Sequence, residues 1–89
     1  METEEFNRLI SESKSFLEDY RMFGKAVSDA IEALSRVQDL VSEPTKVNLN
    51  EALNIVNGLS DQLSPFRGYV PTLAEDLDKI QRWLREKAI

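Results

Sequence analysis

The chain of 89 residues contains no cysteine and no histidine, and only three glycines and three prolines. Without cysteine there are no disulfide staples and no thiolate metal sites; without histidine the commonest transition-metal ligand and the usual general base near neutral pH are missing. Most familiar catalytic sets are thereby removed, and no metal or cofactor is expected. No apolar run approaches the ~20 residues of a membrane span. The opening METEEF is acidic where a secretory signal would be basic and then apolar. Positive charge is scarce too: 11 Lys and Arg against 16 Asp and Glu leave a net charge of -5, whereas nucleic acid and anionic membranes are bound through a basic excess. These absences point to a soluble, cytoplasmic, non-enzymatic protein that partners with another protein or with itself, and with neither nucleic acid nor membrane.

What is present is apolar periodicity. Hydrophobic residues make up 42% of the sequence, enough for a single domain over residues 1–89, in the size range where one core covers roughly 60% of the unfolded chain's surface. Phe6, Leu9, Ser13, Phe16, Tyr20, Phe23, Val27, Ala30, Leu34, Val37 and Val41 follow one another at alternating steps of three and four, and only Ser13 is polar. That spacing is a helical seam, widened on one side by Ile10, Leu17 and Ile31. Thr3 is placed to cap it, with Glu4 and Glu5 in the first turn. Ser42-Glu43-Pro44 ends it, because the residue before a proline is pushed out of helical backbone.

The pattern predicts an all-α fold: a long N-terminal helix over about 4–42, with Gly24 as the place for a bend or break, then two shorter helices over about 48–63 and 72–88. Asn48 to Glu51 and Thr72 to Glu75 both have capping-box spacing. As one rod the first helix would be roughly 50 Å long, and the stripe keeps its phase through Gly24, which favours a single helix. The alternative is a monomeric four-helix bundle broken at Phe23-Gly24, with Asp29 to Glu32 as a further capping box. Gly58, inside the second helix, marks a place where another helix could approach closely.

Two short helices cover only half of a long one. Phe6, Leu9, Ile10, Phe16, Leu17, Tyr20 and Phe23 would lack cover, on the order of 10–20 kcal/mol of unburied apolar surface at about 1.5–3 kcal/mol each. A homodimer completing the bundle through these seven residues is the expected solution. A second candidate partner site is Phe66, Arg67 and Tyr69, in a loop between Pro65 and Pro71, together with Trp83 at the edge of the last helix; these are residue types that dominate binding hot spots. The core face of that helix is Leu73, Leu77, Ile80 and Leu84. Its end gathers Lys79, Arg82, Arg85 and Lys87, which suit the negative helix terminus.

Two enzyme-like patterns stand as the alternative. Glu75 and Asp78 share a helix side and resemble the Glu-x-x-Asp element of the all-helical nucleotide pyrophosphohydrolases, which bind magnesium through several such carboxylates. The family's upstream Glu-Glu-x-x-Glu element is met only by Glu4-Glu5 followed by Arg8. One long and two short helices in an intertwined dimer is also similar to the layout of the all-helical chorismate mutases, whose basic residues on the long helix hold a dicarboxylate. Arg8, Lys25 and Arg36 are spaced comparably but fall outside the seam, and Asn50-Glu51 stands where that family has an Arg-Glu pair. The leading expectation remains a helical protein–protein interaction module, an adaptor or a regulatory or inhibitory subunit, acting through helix–helix packing.

Overall fold

Two helices, not one, carry the stripe from Phe6 to Val41. The computed structural model describes residues 2–66, 68 and 70–88, excepting the side chains of residues 2, 3, 23, 66 and 88. In it α1 spans Glu2–Glu18 and α2 spans Lys25–Ser42, joined through a 3₁₀ turn at Arg21–Phe23. The Tyr20 N–H donates to the Leu17 carbonyl (2.9 Å) and the Gly24 N–H to the Arg21 carbonyl (3.1 Å). The Gly24 carbonyl then accepts from the Val27 N–H at 3.2 Å and so opens α2. Gly24 has φ 108° and ψ -161°, a region essentially reserved for glycine. The predicted single helix over 4–42 is therefore corrected to the four-helix alternative.

The reason lies in the drift of a seven-residue repeat. On a straight α-helix such a stripe turns by about 20° per heptad, so five repeats wind round the rod unless a partner supercoils with it. Breaking the rod lets each half aim its own stripe inward. α1 buries Phe6, Leu9, Ile10, Ser13 and Leu17, while α2 buries Val27, Ala30, Ile31, Leu34, Val37 and Val41. The even spacing from Tyr20 to Val27 passes through a turn, so the continuous phase carried no information about continuous helix.

α3 spans Lys46–Gln62 and α4 spans Pro71–Ala88, with a second 3₁₀ turn at Ser64–Phe66. The cap of α3 is Thr45 rather than Asn48: Thr45 Oγ1 accepts from the Asn48 N–H at 3.2 Å, and Asn48 Nδ2 donates to the Glu43 carbonyl at 2.8 Å. α4 starts on Pro71, whose fixed φ and missing N–H suit a first helical position, one residue before the expected start at Thr72. α1 likewise begins at Glu2, upstream of the expected cap Thr3. No capping box operates at Asp29, which lies inside α2.

Each helix packs against its neighbours in sequence, and α1 closes the ring against α4. The result is an up-down-up-down bundle of 35 × 20 × 19 Å, without the rod expected from a continuous first helix. Its radius of gyration of 12.2 Å equals the ~12 Å of a compact single domain of this length. Leu34, Val56, Ile80 and Leu84 meet Phe6, Ile10 and Leu17 in one core. Among the described residues there is no strand, and no helix is long and apolar enough to cross a membrane.

Candidate interaction surfaces

Folding at Gly24 changes what the first candidate interface can do. Phe6, Leu9, Ile10 and Leu17 are 0, 3, 0 and 2% exposed, buried by α2 and α4 of the same chain. Phe16 and Tyr20 are half-buried against that core. The side chain of Phe23 lies outside the described residues. The apolar surface that asked for a second copy is thus covered within one chain, and a partner has no access to its centre.

In the second candidate region, Arg67 and Tyr69 lie outside the described residues, as does the Phe66 side chain. Trp83 is half-buried on α4, its ring 4.5 Å centroid to centroid from Phe6 and tilted by 37°. Its position agrees with the edge expected from the helical spacing. Lys87 Nζ stands 5.9 Å from the indole centroid, within cation–π range. Beside the indole runs a groove of about 170 Å³ between α1 and α4, lined by Glu5, Leu9, Lys79, Arg82, Trp83 and Glu86. A second cleft of about 390 Å³, lined by Asn7, Gln38, Asp39, Val41, Ser42 and Pro44, opens between α1 and the end of α2. Gln38 Nε2 there donates to Asn7 Oδ1 at 3.4 Å, and Lys14 Nζ donates to Ser35 Oγ and Gln38 Oε1 nearby.

The α1–α4 seam also holds a polar feature that sequence reading missed. Asp76 is 4% exposed, its Oδ2 is without a hydrogen-bond partner, and so is the buried Ser13 hydroxyl. With Phe6 opposite Trp83 and Glu12 opposite Asp76, the antiparallel register places Ser13 at the level of Asp76. Burial pushes the Asp76 carboxyl up to about 6, assisted by its hydrogen bond to Glu12 and by the charge of that carboxylate; Lys79 and Arg8 pull the other way. A signal for this position existed. Asp76 is three residues after Leu73 and four before Ile80, on the core stripe itself.

The remaining candidate groups are surface residues. Glu75 and Asp78 are exposed on α4, and among the described residues no three Asp or Glu side chains gather as a metal-binding group. Arg8 pairs with Glu12 at 3.3 Å, Lys25 with Asp29 at 3.3 Å and Arg36 with Glu51 at 2.8 Å. Arg21 makes a two-pronged contact with Glu18 at 2.6 and 2.9 Å, and the hydrogen bonds hold the Glu18 carboxyl below its ordinary value. With the first helix broken, Arg8, Lys25 and Arg36 no longer lie along one rod. Met22 is 84% and Val47 75% exposed. Comparison with protein-family models, curated proteins and solved structures finds no match for the chain.

Proposed function

We propose that the chain is a cytoplasmic, non-enzymatic helical interaction module, an adaptor or regulatory subunit that docks a partner protein through helix–helix packing and associates with a second copy of itself. The observation that carries this reading is the Trp83 ledge. A half-buried indole, backed by Phe6, stands beside a shallow groove whose rim alternates Lys79 and Arg82 with Glu5 and Glu86. Tryptophan and arginine are the residue types most enriched among binding hot spots. A groove between two antiparallel helices also suits an amphipathic helix carrying one apolar anchor and charges of both signs.

The test uses Arg82→Glu, which alters an exposed rim residue and leaves the core intact. A partner co-purified from native cells with the tagged wild-type chain is expected to dissociate at least tenfold faster from this variant, since truncating or reversing a hot-spot charge costs ~2 kcal/mol or more. Trp83 is the chain's one tryptophan, so its fluorescence should change when that purified partner is added. A partner that binds both forms equally and leaves the emission unaltered would remove the groove as the docking site.

A further inference from the structure

α3 differs from the other helices in what it shows to solvent. Its exposed positions Val47, Asn50, Asn54, Gly58 and Asp61 recur at helical spacing and form one stripe centred on Asn54. Only Lys46, Glu51 and Asp61 are charged, three in 17 residues and the fewest of the four helices. Glu51 is engaged by Arg36 at 2.8 Å, which leaves the middle of the stripe without net charge. Depletion of charge is the compositional mark of interface centres.

Gly58 adds a second observation. Glycine inside a helix costs about 1 kcal/mol relative to alanine, and a Cβ built here meets nothing within 4 Å. No contact within the chain requires it. No helix of the same chain approaches Gly58 closely, and the space it leaves faces outward. We infer that the outer face of α3 pairs with the same face of a second copy, antiparallel, about a two-fold axis at Asn54.

Charge and spacing select this arrangement over a parallel one. With the axis at Asn54, Lys46 of each copy faces Gln62 of the other, one residue beyond Asp61 and within reach of its carboxylate, giving two opposite-charge contacts at the ends of the pair. A parallel pair would set lysine beside lysine and aspartate beside aspartate. Gly58 of one copy then lies across from Asn50 of the other and lets the backbones approach, while Asn54 meets its own symmetry mate. An asparagine at a helical seam fixes register and partner number at some expense of stability. α3 is about 25 Å long and contributes one face, so the dimer belongs to the small, transient class of interfaces. This surface gives the self-association proposed above its place in the fold, and rests on that part of the reading; the Trp83 groove is separate from it.

The absence of cysteine makes the test direct. Two helices with axes 8–10 Å apart bring the Cα atoms at a two-fold axis into the 4.4–6.8 Å range that a disulfide needs. Under mild oxidation, Asn54→Cys is expected to form covalent dimers about tenfold faster than Glu32→Cys, a control on the exposed face of α2. In sedimentation at high protein concentration, Lys46→Asp and Asp61→Lys should each shift the chain toward monomer, and the double exchange should restore the dimer. Equal cross-linking of the two cysteine variants in a chain that still sediments as a dimer overturns the α3 assignment and leaves self-association on another face. A chain that is monomeric at every concentration overturns self-association as well, without touching the groove reading. Failure of the double exchange to restore what the single ones lose overturns the antiparallel register.

Discussion

Replacing Asp76 by asparagine should make the protein more stable at neutral pH and remove most of its pH response in the acid range. At 1.36 kcal/mol per pH unit, holding the carboxyl at about 6 instead of its ordinary 3.8 means that ionised Asp76 costs the fold on the order of 2–3 kcal/mol. The sign follows from where the proton sits. A carboxyl raised in the folded state binds its proton more tightly than in the unfolded chain, so this contribution to stability is full below pH ~4, falls as pH rises through ~6, and stays low above it. Asp76→Asn keeps a neutral donor toward Glu12 and removes the ionisation. At pH 8 the variant should gain about 2–3 kcal/mol; at pH 4, where the native carboxyl is already protonated, it should gain little. For a domain of 60–100 residues each kcal/mol moves Tm by about 4–8 °C, which puts the pH 8 difference near 10–20 °C. Thermal and urea unfolding followed by circular dichroism at pH 4, 6 and 8 reads both quantities. A variant less stable than wild type at pH 8, or two parallel pH profiles, would refute the burial argument.

The three remaining expectations concern backbone and caps. Gly24→Ala should lose about 1–3 kcal/mol, the cost of a non-glycine residue in a sparsely populated backbone region; because the added methyl has open space around it, the loss is conformational, and an unchanged urea midpoint would contradict the positive φ. Gly58→Ala should do the opposite and gain up to about 1 kcal/mol of monomer stability, read as a higher Tm in dilute solution. Thr45→Ala removes the hydroxyl that accepts from the Asn48 N–H and should cost ~1 kcal/mol, whereas Asn48→Ala should cost only the link to the Glu43 carbonyl; an Asn48 variant that loses clearly more than the Thr45 variant would restore Asn48 as the principal cap.

The all-helical class, the stop before Pro44, the start near Pro71 and the inward face of α4 were legible because each is written in spacing or in a residue with a strong backbone preference. Trp83 at the edge of its helix was legible for the same reason. The break at Gly24 was not, since the periodicity reports side-chain direction and is silent on the backbone between two stripes. The same silence produced the unsatisfied surface from Phe6 to Phe23: once α1 folds back between α2 and α4, Phe6, Leu9, Ile10 and Leu17 become core. Thr45 and Asn48 both fit a cap, and the choice fell to the residue that directly follows Pro44. Asp76 lay on the core stripe by spacing, but its charge suggested the surface. The packing that buries it, α4 against α1 beside Glu12, joins residues 64 positions apart, beyond the reach of any local pattern.

Three of the four contacts that close the ring join helices consecutive in sequence, each linked by a short turn; only α1 against α4 brings the two ends of the chain together. Local pairings close with little loop entropy, and distant ones only after the rest is in place. The α1–α4 seam is therefore the pairing expected to close last, after the three consecutive hairpins. The seam that closes last is also the one that must bury the Asp76 carboxyl and the lone Ser13 hydroxyl. Opening that seam frees a terminal helix while the other three stay paired, so the amides of α1 and α4 should exchange from the native state before those of α2 and α3.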